Sequence, residues 1–318
     1  MRFYENEFCY FLSKFIPFKS LRRSVKGRLR YKIDHAKVAE SLEKNFVKPY
    51  LNGELKKWEL KPKVDFKDSN IVWQFWYQGV ESAPKYTQKC LESVQNQMQR
   101  THKIIILDKN NIKDYLDLPP FVWQKLEREG FAKKPITSFS DLLRVCLLSV
   151  YGGVWVDASI FLSAKIPTKI LKKDFFAFYR SKIPPSDYKK WVSFDYNYFC
   201  WEDDFLVKML NSFIVANARN PLVCALKDIL LSYWEAQDKY GYYFTFQIIF
   251  ELLKRSGEFG EIVDSSYNDT DLHLLQYFAK SPYSDGLKNE IFKKSFLHKL
   301  THFKELPKDS LLYCVLKD

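Results

Sequence analysis

The sequence predicts an α/β fold in which a central sheet is flanked by helices. Short apolar runs of strand length, at 71–79, 103–108 and 154–157, alternate with longer segments whose apolar residues recur at helical spacing. That strand–helix–strand order is typical of a sheet whose strands are joined by helical crossovers. With 47% hydrophobic and 17% aromatic residues among 318, the chain can bury a core, which excludes a largely disordered protein.

The first 68 residues are predicted to form a basic, aromatic and helical extension, separate from a main domain at 69–318. Twelve Lys and Arg against five Asp and Glu in positions 1–48 give a net charge of +7, more than half of the chain's +12. An apolar stripe at helical spacing opens the extension, formed by Phe8, Phe11, Leu12 and Phe15, and Pro17 ends that helix. The stretch from Lys14 to Lys32 holds eight basic residues and no acidic one.

An aromatic stripe beside a basic run is typical of a helix that lies on an anionic membrane surface. The alternative is a helix packed on the core with a solvated basic face. The sequence shows no nucleic-acid recognition motif, no apolar run of the roughly 18 residues that a membrane-spanning helix needs, and no signal peptide. Six widely spaced cysteines without a CxxC pair predict free thiols in a reducing compartment. We therefore expect a cytoplasmic protein, peripheral on the inner face of the cell membrane, that binds no nucleic acid.

The main domain is expected to continue through further helices and strands. Predicted helices cover 85–98, 111–129 with a break at a Pro-Pro pair, 138–153, 221–237 and 242–254. Further strands are predicted to start at 175 and 211, and the tail is predicted as a short helix from about 283 and a loop at 297–304. The glycine pair Gly152-Gly153 gives the helix at 138–153 a clear C-terminal stop.

The segment from Ser138 to Leu162 carries the strongest chemical signal. Asp141 and Arg144 are three residues apart on one helical face, and Asp157 ends the strand that follows the glycine pair. Ligands of open α/β sheets bind beyond the carboxyl ends of strands, which is where Asp157 falls. A carboxylate followed by two small residues can hold a Mg²⁺ or Mn²⁺ ion that bridges two phosphates. The alternative for each residue alone is structural, as a helix ion pair or an Asp that ends a strand.

Aromatic residues at the end of the first strand are candidates for stacking on a nucleotide base. Alternation places Trp73 and Tyr77 on one face of the strand and Trp76 on the other. The Gln78-Gly79 pair that follows would let the backbone approach the ligand. The alternative is that the tryptophans are core residues of a buried strand.

The string SDLLRVCLLSVYGGVWVDAS resembles the sugar-transferase signature of glycosyltransferase family 32 and its capsular polysaccharide synthesis relatives. IVWQFWYQG at 71–79 is similar to the first strand of that family, and NSFIVANARNPL and LHKLTHFK are similar to later landmarks of the capsular subgroup. The resemblance covers about Ile71 to Lys304. It implies a GT-A fold, in which a Rossmann-like domain with a mixed central sheet flanked by helices binds a nucleotide sugar.

The resemblance also implies roles for single residues. Asp141 would contact the donor ribose or sugar, Arg144 the donor sugar and phosphates, and Asp157 the metal. A full D-x-D motif has two carboxylates, whereas this chain reads Asp-Ala-Ser, so that Ser159 offers only a hydroxyl. His298 would be a second metal ligand, with His302 the weaker candidate. The residues assigned to donor binding are Trp73, Trp76, Tyr77, Gln78, Gly79, Gly153, Ser159, Asn211 and Lys299, the last as a diphosphate clamp.

These observations predict a hexose-transferring glycosyltransferase that acts on a capsular or O-antigen polysaccharide intermediate, with retention of configuration implied by the resemblance. The expected donor is a nucleotide sugar, a UDP-sugar in preference to a GDP-sugar, and the expected cofactor is Mn²⁺ or Mg²⁺. The expected acceptor is a polyprenyl-diphosphate-linked sugar or an oligosaccharide. Two alternatives are another nucleotide-dependent sugar transferase and a non-catalytic, basic membrane adaptor with a decayed sugar-nucleotide site. The joint presence of Asp141, Arg144 and Asp157 favours an enzyme.

Overall fold

The computed structural model describes residues 8–67, 70–262, 267–301, 303 and 305–317. Its strands are β1 Ile71–Phe75, β2 Lys103–Leu107, β3 Gly153–Val156, β4 Ile160–Leu162, β5 Phe175–Tyr179, β6 Met209–Ala216 and β7 Leu297–Lys299. Its α-helices are α1 Lys19–Leu42, α2 Lys48–Leu51, α3 Lys85–Met98, α4 Ile112–Tyr115, α5 Pro120–Glu127, α6 Pro135–Tyr151, α7 Thr168–Leu171, α8 Tyr188–Phe194, α9 Pro221–Ala236, α10 Thr245–Ser256, α11 Leu274–Tyr277, α12 Asp285–Lys294 and α13 Leu311–Lys317.

Five strands form one sheet in the order β2-β1-β3-β6-β5. Strand β1 is parallel to β2 and β3, whereas β6 is antiparallel to both of its neighbours, β3 and β5. Because β6 runs against both, β5 points in the same direction as β3. The sheet is therefore mixed and flanked by helices, which confirms the predicted α/β fold and agrees with a GT-A-like arrangement.

Two hydrophobic clusters cover the two faces of the sheet. Trp73 and Phe75 belong to the larger cluster, which is shared with α6, α9 and α10. Val72 and Val156 belong to a smaller cluster on the other face. Alternation along the strands produces this division, and burial on both faces explains why β1 reads as an almost continuous apolar run.

The Gly152-Gly153 pair joins α6 to β3 in one tight turn. The two φ angles are 67° and 100°, in the region that L side chains rarely adopt. A Cβ atom at Gly153 would lie 2.5 Å from the carbonyl oxygen of Ile71, and one at Gly152 would lie 2.5 Å from the nitrogen of Ala218. The glycines therefore allow β3 to lie against β1, which fixes the position of Asp157 at the far end of β3.

Most predicted elements agree with the structure to within a few residues. The helix predicted at 85–98 is α3 with the same limits, and the one predicted at 138–153 is α6, which starts at Pro135. The tail differs, because the loop predicted at 297–304 begins with β7, which pairs antiparallel with β4. This pairing sets Lys299 opposite Ile160, close behind Asp157. Strands of three residues are too short for alternation to reveal them.

The second half of the N-terminal extension packs on the main domain. Five of its residues belong to the larger hydrophobic cluster, namely Ala39, Leu42, Phe46, Val47 and Trp58. The predicted division between residues 68 and 69 falls outside the described residues. The two-part organisation therefore stays a prediction.

The first half of the extension exposes its aromatic stripe. Residues 8–12 are helical, and α1 begins only after Pro17. The side chains of Phe8, Phe11, Leu12 and Phe15 are between 47% and 71% exposed. The side chains of most of the basic run lie outside the described part of the structure, namely those of Lys19, Arg22, Arg23, Lys26, Arg28 and Arg30. Within the described ranges, no helix combines the length and the apolar character that crossing a membrane requires.

Candidate active site

The carboxyl ends of β1, β2, β3 and β5 lie at one edge of the sheet, and Asp157 directly follows β3 there. The backbone N–H of Asp157 donates to the carbonyl oxygen of Ser212 at 2.9 Å, which extends the pairing of β3 with β6. The side chain of Asp157 is 20% exposed. The structure thus places this carboxylate, partly open to solvent, where ligands of α/β sheets bind.

Helix α6 brings Asp141 and Arg144 to the same place. Nη2 of Arg144 lies 3.1 Å from Oδ1 of Asp141 and 3.4 Å from Oδ1 of Asp157, so one guanidinium joins both carboxylates. Asn211 of β6 completes the group. Its Nδ2 donates to Oδ1 of Asp141 at 2.8 Å, and its carbonyl oxygen accepts from Nη1 of Arg144 at 2.5 Å. The side chains of Asp141 and Arg144 are almost fully buried.

Lys299 approaches Asp157 from the β4–β7 pair. Its Nζ lies 3.3 Å from Oδ2 of Asp157 and 2.6 Å from Oγ of Ser159. Nε1 of Trp155 donates to Oδ1 of Asp157 at 2.7 Å. We refer to Asp141, Arg144, Asp157 and Lys299 as the charged cluster. Two carboxylates and two cations meet there at the edge of the sheet.

Burial and neighbouring charges shift the pKa values of the two carboxyl groups in the charged cluster in opposite directions. Burial raises the pKa of Asp141 to about 6, against the opposing attraction of Arg144. Burial also acts to raise the pKa of Asp157, but Arg144 and Lys299 together outweigh it, and this pKa is lowered. Asp157 is therefore ionised at neutral pH, whereas Asp141 titrates in the mildly acidic range.

The residues around Asp157 do not fit the expected divalent metal ion. Lys299 contacts one carboxylate oxygen, and Trp155 and Arg144 contact the other. Mg²⁺ and Mn²⁺ need several free oxygen ligands. Across the part of the chain that the structure describes, no three or more His, Cys, Asp or Glu side chains are grouped to hold a metal. The ammonium of Lys299 lies beside Asp157, where the sequence predicts the ion.

His298, the predicted second metal ligand, does not join the charged cluster. Neighbouring residues of a strand point to opposite faces, so His298 points away when Lys299 contacts Asp157. Its Nε2 lies 2.9 Å from Oγ of Ser163, and its ring packs against Phe161 and Phe292. Burial lowers the pKa of His298 to about 3. It is a core histidine, and His302 lies outside the described residues.

Two residues predicted to bind the donor also lie away from the charged cluster. Trp73 is fully buried, its indole N–H donates to the carbonyl oxygen of Gly152 at 3.0 Å, and its ring packs against Tyr115 and Tyr151. A ring enclosed in this way has no face to offer a nucleotide base. Gly153 opens β3 and so lies at the opposite edge of the sheet from Asp157. Both residues are structural.

The other residues predicted around β1 lie at the edge of the sheet that carries Asp157. Trp76 and Tyr77 are half-buried, and Gln78 is exposed. A Cβ atom at Gly79 would lie 3.7 Å from Oδ2 of Asp108, which directly follows β2. These residues therefore flank the charged cluster on the side of β1 and β2. Their contact with a donor stays a prediction.

Sequence reasoning missed a buried amide in β1 and two residues that contact the charged cluster. Gln74 is fully buried inside β1, and neither atom of its amide has a hydrogen-bond partner among the described residues, which is a costly arrangement. A polar residue within the apolar run IVWQFW was the available signal. Ser140 was also missed, although it accepts from Arg144 at 3.1 Å through both its carbonyl oxygen and its hydroxyl. Trp155, which holds Asp157, looked like an ordinary core residue.

Comparison with known proteins adds a family and two relatives. Glycosyltransferase afumC of Aspergillus fumigatus is 27% identical over 113 residues, which cover 32% of this chain and 27% of that protein. O-glycosyltransferase braB of Annulohypoxylon truncatum is 24% identical over 177 residues, which cover 52% of this chain and 37% of that protein. The matches thus span well under half the length of either relative. Residues 26–315 match the family described as capsular polysaccharide synthesis protein. Since this match extends over most of the chain, the protein belongs to the capsular polysaccharide synthesis protein family.

Proposed function

We propose that the protein is a glycosyltransferase that moves a hexose from a nucleotide sugar to a capsular or O-antigen polysaccharide intermediate. The observation that carries the proposal is the charged cluster, in which a guanidinium and an ammonium flank Asp157 at the carboxyl edge of the sheet. The names of the two relatives, both glycosyltransferases, support the same class of reaction. A UDP-sugar is the favoured donor, and a GDP-sugar is the alternative.

In this proposal the nucleotide lies along the carboxyl edge of β1 and β3. The nucleoside contacts Tyr77, Gln78 and Gly79, and the diphosphate extends toward Lys299. The support is topological, because β1 and β3 are neighbours in the sheet and the two groups of residues follow these strands. Arg144 and Lys299 then place two positive charges beside the diphosphate.

Transfer breaks the bond between the anomeric carbon and the diphosphate oxygen, and the diphosphate leaves with the electron pair. The acceptor hydroxyl oxygen forms the new bond to that carbon, and its proton passes to the departing phosphate. This same-face route retains the anomeric configuration. Lys299 and Arg144 stabilise the negative charge that develops on the leaving group. Asp157 orients both cations, and in this route no enzyme group forms a bond to the sugar.

We also propose that the enzyme works at the cytoplasmic face of the cell membrane. The exposed stripe of Phe8, Phe11, Leu12 and Phe15 supports this, because an exposed apolar patch marks an interaction surface. The basic residues next to the stripe in sequence would add attraction to anionic lipids. An anionic lipid surface is thus a proposed partner, alongside the donor and the acceptor.

A donor screen tests the proposed reaction. The melting temperature of the full chain is measured with each UDP- or GDP-sugar, once in Mn²⁺ and once in EDTA. Sugar transfer from the same donors to an acceptor is measured in parallel. One nucleotide sugar should raise the melting temperature and be consumed. Stabilisation by none of them, together with binding to anionic vesicles, would favour the non-catalytic adaptor. Transfer of a phosphosugar would favour the other class of transferase.

A further inference from the structure

Two adjoining cavities lie beyond the carboxyl end of β5. They have volumes of about 460 and 320 Å³ and share the segment Tyr179–Lys182 as a common wall. Because β5 runs in the direction of β3, this segment lies at the same edge of the sheet as Asp157, with β6 between them. The cavities are therefore near the charged cluster but separate from it.

Three lysines without a carboxylate partner line the cavities. Lys182, Lys208 and Lys254 form no ion pair with any described Asp or Glu, although Nζ of Lys254 lies 5.1 Å from the ring centre of Tyr179. Glu251 lines the same wall, but it already accepts from Tyr179 at 2.5 Å and from Arg255 at 2.9 Å. The remaining acidic residues at the cavities, Asp203 and Glu261, are exposed. The cavities thus carry an excess of positive charge.

Lys208 is a partly buried cation at the smaller cavity. Its side chain is half-buried, and burial lowers its pKa. Glu251 and Asp203 act in the opposite direction without cancelling this effect, and Arg255 and Lys254 reinforce it. An anion bound between these groups would stabilise the charged form of Lys208.

One wall of the cavities is rigid. Arg180 follows β5, is fully buried, and forms a two-point ion pair with Asp269, with its Nε and Nη2 each 2.8 Å from Oδ2. The rings of Tyr198, Phe199 and Trp201 surround its guanidinium at 4.8 to 5.0 Å. Because Asp269 and the surrounding rings hold the Arg180 guanidinium, it keeps the wall in place and leaves the three lysines to meet a ligand.

The cavities connect to the N-terminal extension. Helix α1 packs against α10, the helix that carries Lys254, and Lys32 of α1 pairs with Glu202 at 2.5 Å, next to the cavity residue Trp201. The exposed aromatic stripe precedes α1. Apolar side chains also border the larger cavity, where Ile183 is 81% exposed beside Ile262. A ligand with an anionic head and an apolar tail would match this layout.

We propose that these cavities are the acceptor site, in which Lys182, Lys208 and Lys254 hold the diphosphate of a lipid-linked acceptor. The inference rests on the proposed function. Since β6 separates the cavities from the charged cluster, the donor and acceptor diphosphates would occupy different sites. The acceptor sugar would extend past β6 toward the charged cluster.

Titration calorimetry with two probes tests this site. Farnesyl diphosphate, as a short lipid diphosphate, and UDP are titrated separately into the full chain. The variant Lys182→Gln/Lys254→Gln should bind farnesyl diphosphate at least tenfold more weakly and UDP as before. Lys182→Arg/Lys254→Arg should keep most of the affinity, because it keeps the charges. The control Lys239→Gln/Lys280→Gln, at two exposed lysines, should bind both probes like the wild type.

Any outcome without a specific loss of farnesyl diphosphate binding contradicts the acceptor site. No binding of farnesyl diphosphate to the wild type, or equal binding to the Gln variant and the wild type, would overturn it. Equal weakening for UDP would assign the lysines to the donor instead. If the wild type binds farnesyl diphosphate through these lysines but transfers no sugar from any donor, the proposed function fails while the lipid diphosphate site stands.

Discussion

At the scale of single residues, the charged cluster holds two carboxyl groups whose pKa values are shifted in opposite directions. Asp157 is kept ionised by Arg144 and Lys299, whereas burial raises the pKa of Asp141 to about 6. Arg144 touches both, and the rings of Trp155 and Phe246 lie 5.2 and 5.7 Å from its guanidinium carbon. A cation packed in this way cannot move freely, so Arg144 is preorganised for the phosphate that the proposed function places beside it.

The raised pKa of Asp141 predicts a pH-dependent stability. Between its ordinary pKa of 3.8 and the folded value of about 6, the folded protein binds more protons than the unfolded chain. The free energy of unfolding should therefore fall as pH rises from 4 to 6, by up to about 1.4 kcal/mol per pH unit from this group. Because Asn resembles the neutral carboxyl group and does not titrate, Asp141→Asn should remove the part of this pH-dependent fall in the free energy of unfolding that Asp141 causes.

Urea unfolding at pH 4, 5, 6 and 7 measures this effect. The control Asp238→Asn changes a carboxylate that is 92% exposed and should keep the wild-type dependence on pH. Equal pH dependence in Asp141→Asn and the wild type would show that Asp141 titrates normally.

Asp157→Asn should leave the fold intact but reduce sugar transfer at least tenfold, about 1.4 kcal/mol. The amide is nearly the same size, yet it removes the charge that orients Arg144 and Lys299. Steady-state kinetics with the donor found by the screen measure the loss, with Asp238→Asn as the matched control. Activity within twofold of the wild type would remove Asp157 from the site.

At the scale of elements, local periodicity made some parts predictable and left others hidden. Strand β1 and helices α3 and α6 have apolar patterns that a single sequence reveals. The pairing of β4 with β7 joins short segments from distant parts of the chain, and such a contact leaves no local pattern. Lys299 was therefore predicted as a site residue only through the family resemblance. The same resemblance predicted His298 as a metal ligand, but His298 lies on the opposite face of β7 from Lys299.

Gly153→Ala tests the contact between β3 and β1. The new Cβ would lie 2.5 Å from the carbonyl oxygen of Ile71, at a φ of 100°. We expect a loss of at least about 2 kcal/mol in the free energy of unfolding. Gly286→Ala in α12, where nothing lies within 4 Å of the new Cβ, is the control and should not destabilise. Equal stability of both variants in urea would contradict the need for a glycine at the start of β3.

At the scale of the whole molecule, the proposals place the membrane, the acceptor site and the donor site one after another along the protein. The exposed aromatic stripe precedes α1, helix α1 packs beside the lysine-lined cavities, and the charged cluster lies across β6. A lipid-linked acceptor could then reach the catalytic edge without leaving the membrane. This order would give the aromatic stripe and the basic run next to it in sequence a shared function.

Replacing the aromatic stripe tests the membrane end of this arrangement. The variant Phe8→Ser/Phe11→Ser/Phe15→Ser changes side chains that are each more than half exposed, so its melting temperature should match that of the wild type. Its binding to anionic vesicles in a sedimentation assay should fall at least tenfold, and transfer to a soluble acceptor should be unchanged. Unchanged vesicle binding would place the membrane contact elsewhere, and a lower melting temperature would indicate that the stripe packs on the core.

The most direct test of the charged cluster is calorimetric titration of UDP into the wild type and Lys299→Gln, in EDTA and in Mn²⁺. If Lys299 and Arg144 hold the diphosphate, the wild type should bind UDP with the same affinity in both buffers. Lys299→Gln should then bind at least tenfold more weakly, while the exposed-site control Lys280→Gln should bind normally. Binding that requires Mn²⁺, or that is unchanged in Lys299→Gln, would contradict the central claim that fixed cations bind the donor.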